Sequence, residues 1–137
     1  MREILFKGKS ISENFANKPI GEWCYGSLSI FNEEEYMIYF DDYPNGYWHI
    51  DIDPETVCQS TGLEDCNKNR IFEGDVLRRQ GCSNIYIIFD DKTASLGWSF
   101  TDFIRSQGYI HQLTKYDMNC CEIIGNIHDN PEFLLDN

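Results

Sequence analysis

No stretch of this sequence approaches the roughly 18 consecutive apolar residues that a membrane-spanning helix requires. The opening Met-Arg-Glu-Ile-Leu-Phe-Lys-Gly also lacks the long apolar core of an export signal. The expectation from both is a cytoplasmic protein with no membrane partner. Four prolines and ten glycines among 137 residues are too few for a collagen-like or low-complexity chain. Basic side chains are scarce as well: 11 Lys plus Arg stand against 23 Asp plus Glu, for a net charge of −12. Between Lys18 and Lys68 there is none, while Glu22, Glu33, Glu34, Glu35, Asp41, Asp42, Asp51, Asp53, Glu55, Glu64 and Asp65 all fall in that gap. Nucleic acids bind by having their phosphates neutralised, so such a stretch repels them, and no direct nucleic-acid binding is expected.

Signatures of chemistry are missing too. None of the six cysteines (Cys24, Cys58, Cys66, Cys82, Cys120 and Cys121) makes a Cys-x-x-Cys pair, so a zinc knuckle or thioredoxin-like site lacks its mark. Cytosolic thiols stay reduced, and packed, unreactive cysteines are expected. There is no Gly-x-Ser-x-Gly elbow, no phosphate-cradling glycine loop and no His-Glu-x-x-His pair. An EF-hand loop starting at Asp51 fails, because Thr56 stands where glycine is needed and Gly62 where the bidentate Glu belongs. His49, Asp51 and Asp53 alternate with Ile50 and Ile52, so on a strand they share one face and are the weak candidates for a metal site. The same alternation describes any half-wet strand, so no metal and no cofactor are expected. The expectation is a protein that is not an enzyme.

What the chain does contain is an ample core: 42% of residues are hydrophobic and 15% aromatic. At this length folding buries about two-thirds of the unfolded surface, enough for one domain or two small ones without staples. Short apolar runs recur about every ten residues, punctuated by Gly and Asp. Strands are predicted over 3–7, ended by Gly8; over 22–31, with the apolar face switching at Gly26; and over 36–40. A turn at 41–46 then leads to a returning arm over 47–52. Further short strands follow at 56–59, 76–77, 85–89, 93–98, 109–113 and 122–127, with Gly62 as a turn. One helical turn is predicted over 101–106, and Asn130-Pro131-Glu132 reads as the start of a terminal helix. The class is mainly β with little helix. A β-rich region over 1–60 is expected to pack with a small barrel region over 61–137.

Nine of the 20 aromatic residues fall inside the acidic gap. Such rings are what a strand-rich core uses, which is the first explanation for them. Aromatics are also enriched in the centres of protein interfaces, so Tyr36, Tyr39, Tyr43, Tyr47 and Trp48, with Asp41 and Asp42, are the candidate interaction surface.

Six ordered motifs carry a resemblance. They are Met1 to Lys9, Gly21-Glu-Trp-Cys-Tyr-Gly26, Ile52-Asp-Pro-Glu-Thr-Val57, Gln59-Ser-Thr-Gly-Leu-Glu-Asp65, Ile71-Phe-Glu-Gly-Asp-Val76 and Glu122-Ile-Ile-Gly-Asn-Ile-His-Asp-Asn-Pro-Glu132. Together they resemble the YopX family of phage and prophage proteins, end to end. Asn67-Lys68 departs from the Asn-Gly that relatives often carry before Ile71. The resemblance implies an SH3-type barrel in the C-terminal half, a phage or prophage setting and an accessory role, and brings no catalytic residues. The expected function is therefore a non-enzymatic protein-interaction module whose partner is unidentified, with homo-oligomers among the expected assemblies. The alternative is an acidic decoy that competes with nucleic acid for a host protein, and the third reading is a metal-assisted enzyme.

Overall fold

The computed structural model describes residues 5–11, 20–41, 46–79, 81 and 83–134, with the side chains of Asp41 and Tyr47 excepted. The chain divides into two compact units, residues 1–60 and 61–137, each described below by itself.

The first unit is an antiparallel meander. β1 (Phe6–Lys9) pairs with β2 (Trp23–Phe31), which pairs with β3 (Glu35–Asp41), which pairs with β4 (Tyr47–Ile52). On its other side β1 meets the start of β5 (Cys58–Glu64) through Phe6–Gln59 and Lys7–Cys58. Side chains alternate across a strand, so even-numbered residues of β2, β3 and β4 face one way. Cys24, Ile38, Ile50 and Ile52 are buried there, with Phe6, Leu28, Tyr36, Phe40 and Val57 packed against them. A bridge from Ser10 to Ile52, supported by Ile11 N donating to Asp51 O at 3.0 Å, ties the end of β4 to the end of β1.

Two expectations change here. Gly8 lies inside β1 and does not end it, because Ile52 packs where its side chain would be: an added Cβ would lie 2.5 Å from Ile52 Cδ1. The apolar face does not switch at Gly26, since Cys24 and Leu28 keep one parity with no shift in register. What Gly26 provides is room, because a Cβ there would overlap the Tyr39 carbonyl. Trp23, on the opposite face, is half-buried under the amines of Lys7 and Lys9, which sit 4.4 and 5.3 Å from its ring centroid. The β2–β3 turn uses two left-handed residues, Asn32 (φ +53°) and Glu33 (φ +62°), without glycine.

A short 3-10 turn, Pro54–Thr56, takes in the first residue of the strand expected over 56–59, which begins instead at Cys58, and Asp53 caps the turn by accepting from Glu55 N at 3.0 Å. β5 then runs straight through Gly62, which is no turn but a strand residue with φ +78°.

In the second unit, β5 ends in a tight turn and returns as β6 (Arg70–Phe72). An open antiparallel sheet follows in the order β10-β9-β8-β7-β11. Its strands are β7 (Asp75–Arg79), β8 (Ile85–Asp90), β9 (Ser95–Phe100), β10 (His111–Gln112) and β11 (Cys121–Asn126). The described residues lie mainly in β-strands with little helix, as expected, but this sheet does not close into a barrel: β10 and β11 remain at opposite edges. Its core is Ile71, Leu77, Ile85, Ile87, Trp98, Met118 and Cys121, with Leu63, Leu96, Phe100, Leu113 and Ile123 against it.

Two short helices interrupt the strands. α1 (Phe103–Ser106), capped by Asp102, is the expected helical turn. α2 (Lys115–Asn119), capped by Thr114, was not anticipated. Its five residues bury one side chain, Met118, and so few leave no period to read in the sequence. A bulge between Ile123 and Gly125 bends β11, and Asn130 Oδ1 and the Phe133 ring occupy the space a Gly125 side chain would need. Asn126 Oδ1 accepts from His128 N and Asp129 N, turning the chain into the closing 3-10 turn Pro131–Leu134.

Candidate functional site

Odd-numbered residues of β2 to β4 make the outer face of the meander. Register sets them in rows: Ser27–Tyr39–His49, then Ser29–Met37–Asp51, then Phe31–Glu35. Tyr25, Tyr39 and Phe31 are 49%, 40% and 57% exposed. The Tyr39 and His49 rings meet across the strands at 5.4 Å between centroids, tilted by 39°. Apolar rings therefore stand in the open, flanked by the exposed carboxylates of Glu35 and Asp51.

The sequence candidates separate on this frame. Tyr39 lies on the outer face. Tyr36 packs on the inner cluster, and half-buried Trp48 is opposite Phe40 in the same inner-facing rows. Asp41 and Tyr47 are register partners where β3 and β4 enter the connection between them. Asp42 and Tyr43 lie outside the described residues. Alternation decides this split: Tyr36 and Tyr39, three positions apart on one strand, face opposite ways. Their place is partly taken by Tyr25 and Phe31, whose odd parity was legible but whose neighbours across β3 were not.

His49 and Asp51 do share the outer face, but the Asp53 carboxylate is engaged at the cap of the 3-10 turn. Among the described residues no three His, Cys, Asp or Glu side chains are grouped to hold a metal ion. The acidic gap is likewise not one surface. Asp65 is only 3% exposed; its Oδ1 accepts from Asn67 N at 2.9 Å and Asn69 N at 2.8 Å, and its Oδ2 from Ile123 N at 3.1 Å. Asp75, 4% exposed, accepts from Phe72 N at 2.8 Å.

In the second unit, a groove of about 410 Å³ runs between the end of β8, the start of β9 and β10, lined in part by Tyr109 and His111. His111 stacks on Trp98 at 4.0 Å and 15°, with Tyr109 edge-on at 4.6 Å. Thirteen positions separate Trp98 from His111 along the chain, and only the β9–β10 register brings them together. The Trp98 indole N–H is buried without a hydrogen-bond partner among the described residues.

Comparison with known proteins adds a lineage. The sequence model for the YopX protein matches residues 16–135. This chain belongs to the YopX family. Among solved structures, YopX-family residues here align with protein EF1440 from Enterococcus faecalis at a TM-score of 0.50 and 22% identity. The match covers 98% of this chain and 99% of that one. At that identity the likeness is one of fold. No curated protein matches the chain. The YopX motifs have structural work in this fold: Asp65, Asp75, Asn126 and Asn130 hold backbone amides, and Gly26 and Gly125 allow close approach.

Proposed function

We propose that this YopX-family chain is a phage or prophage accessory protein that acts by binding another protein through the outer face of β2–β4, without catalysing a reaction. The observation that carries the reading is the exposure of Tyr25, Phe31 and Tyr39 on one sheet face beside Glu35 and Asp51. Aromatic rings in a polar surround are the usual anchors of protein interfaces. The carboxylates favour a partner with basic side chains around an apolar centre. A second copy of the chain is the homo-oligomeric form of the same contact.

Capture from a host lysate, run beside Tyr39→Ala and Phe31→Ala, tests the reading. Truncating an anchor costs about 2 kcal/mol, or about 30-fold in affinity. Both variants should keep the parent's melting temperature and lose the captured protein. Unchanged capture by both variants, or a turnover detected with the purified chain, overturns it. Sedimentation of the parent and the two variants reads self-association separately.

A further inference from the structure

Five of the six cysteines are described, and they fall into two groups. Cys24, Cys58 and Cys121 are buried, whereas Cys66 and Cys120 are exposed. The expectation of packed thiols throughout therefore fails for two of them. Cys66 and Cys120 are 54 positions apart in the chain, yet both line one cleft of about 460 Å³, with Arg78, Arg79, Asn84 and Glu122. The backbone explains the approach. Cys66 N donates to Cys121 O at 2.8 Å, and Ile123 N donates to Asp65 Oδ2, so the 65–69 turn is laced to β11. Cys120 closes α2 immediately before that strand.

The charges of the cleft are uneven. Arg78 is met by Glu122 at 3.4 Å. Arg79 has no carboxylate partner among the described contacts; its guanidinium lies 5.6 Å from the Trp98 ring centroid. The neighbouring Cys121 is a spectator. Its Sγ donates to Asp117 O at 3.2 Å, and burial pushes its thiol up to about 11, against the opposing pull of Arg79. Two accessible thiols thus share a cationic recess while a third is held protonated beside them.

We propose that Cys66 and Cys120 form a reversible thiol–disulfide pair, oxidised by an anionic low-molecular-weight disulfide such as oxidised glutathione that enters this cleft. One thiol loses its proton, and the thiolate attacks a sulfur of the small disulfide. A mixed disulfide forms, and one small thiolate leaves and takes up a proton. The second cysteine, as thiolate, then attacks the protein-side sulfur of the mixed disulfide and releases the other small thiol. In sum, two protein thiols are oxidised to one disulfide and one small disulfide is reduced to two small thiols. The product pins the 65–69 turn to the α2–β11 junction. Exchange of this kind fits the transient, sensing disulfides of reducing compartments better than a structural bridge.

The reduced full-length chain, incubated with oxidised glutathione and read by intact mass and peptide mapping, tests this. The parent should lose two hydrogens, with Cys66 joined to Cys120 and the change reversed by dithiothreitol. Cys66→Ser should stop at one glutathione on Cys120, and Cys120→Ser at one glutathione on Cys66. Arg79→Gln should lose the parent's preference for glutathione disulfide over uncharged hydroxyethyl disulfide, a readout that folding alone does not move. The proposal is overturned if Cys66 and Cys120 react no faster than Cys24 and Cys58 in the folded chain. Pairing of either with Cys82, or single variants that carry no trapped adduct, overturns it equally.

Discussion

Replacing Asp65 by alanine should weaken the second unit more than any other single change to a turn. This carboxylate is 3% exposed and accepts three backbone amides, two inside its own turn and one from Ile123, 58 positions further along the chain. A hydrogen bond to a charged acceptor is worth about 1.5–3 kcal/mol. Asn67 and Asn69 are exposed, so water takes over their amides when the carboxylate is removed, whereas the Ile123 amide lies in a half-buried strand. Bonds to one acceptor do not add, so the expected loss for Asp65→Ala is about 2–4 kcal/mol. In a unit of this size that lowers the melting temperature by roughly 8 °C or more. Asp65→Asn keeps one acceptor oxygen and should lose about half as much, roughly 1–2 kcal/mol. Urea unfolding followed by tryptophan fluorescence gives the two midpoints, and amide exchange at Ile123 reports the local release. A loss under about 1 kcal/mol for alanine, or equal losses for alanine and asparagine, would refute the tether argument.

Further outcomes follow from backbone geometry and from burial. Glu33 (φ +62°) and Lys68 (φ +65°) hold left-handed conformations that cost side-chain-bearing residues energy, so Glu33→Gly and Lys68→Gly should each stabilise by about 0.5–1 kcal/mol in denaturant titration. Gly26→Ala should destabilise the first unit by about 1–3 kcal/mol, because its Cβ would meet the Tyr39 carbonyl, a backbone group that cannot turn aside, as well as Ile38 Cγ2. Burial raises the Cys121 thiol from 9.0 to about 11, so the unfolded chain gives up that proton first as pH rises. The stabilisation is complete below pH 9 and is lost as pH climbs towards 11. Denaturant midpoints measured across that window should fall less steeply for Cys121→Ala than for the parent. Tyr86, also raised by burial, adds to the alkaline loss in both.

Some of this architecture was readable at the level of single residues. The run Ile85–Phe89, apolar on both parities, lies within β8, and the Asp75 carboxylate does hold the turn before it. Turn chemistry was harder to read. Gly62 and Gly8 looked like strand ends and are strand residues, because a glycine marks either a bend or a close neighbour, and the neighbour is not written beside it. The left-handed Asn32-Glu33 and Lys68 carry no glycine to announce them. The outer-face candidates suffered likewise: composition gathered Tyr36, Tyr39 and Trp48 into one surface, and alternation divided them.

Strand periodicity, the excess of acid and the ordered YopX motifs are properties of the sequence alone, since each depends on residues a few positions apart. They determined a β-rich chain and its family. Which faces those strands turn to solvent was decided by register. The open edge of the second sheet, the stacking of His111 on Trp98 and the approach of Cys66 to Cys120 all join residues more than ten positions apart. Such contacts form only when the closure of long loops is outweighed by burial of a shared core, and that balance belongs to the whole folded unit.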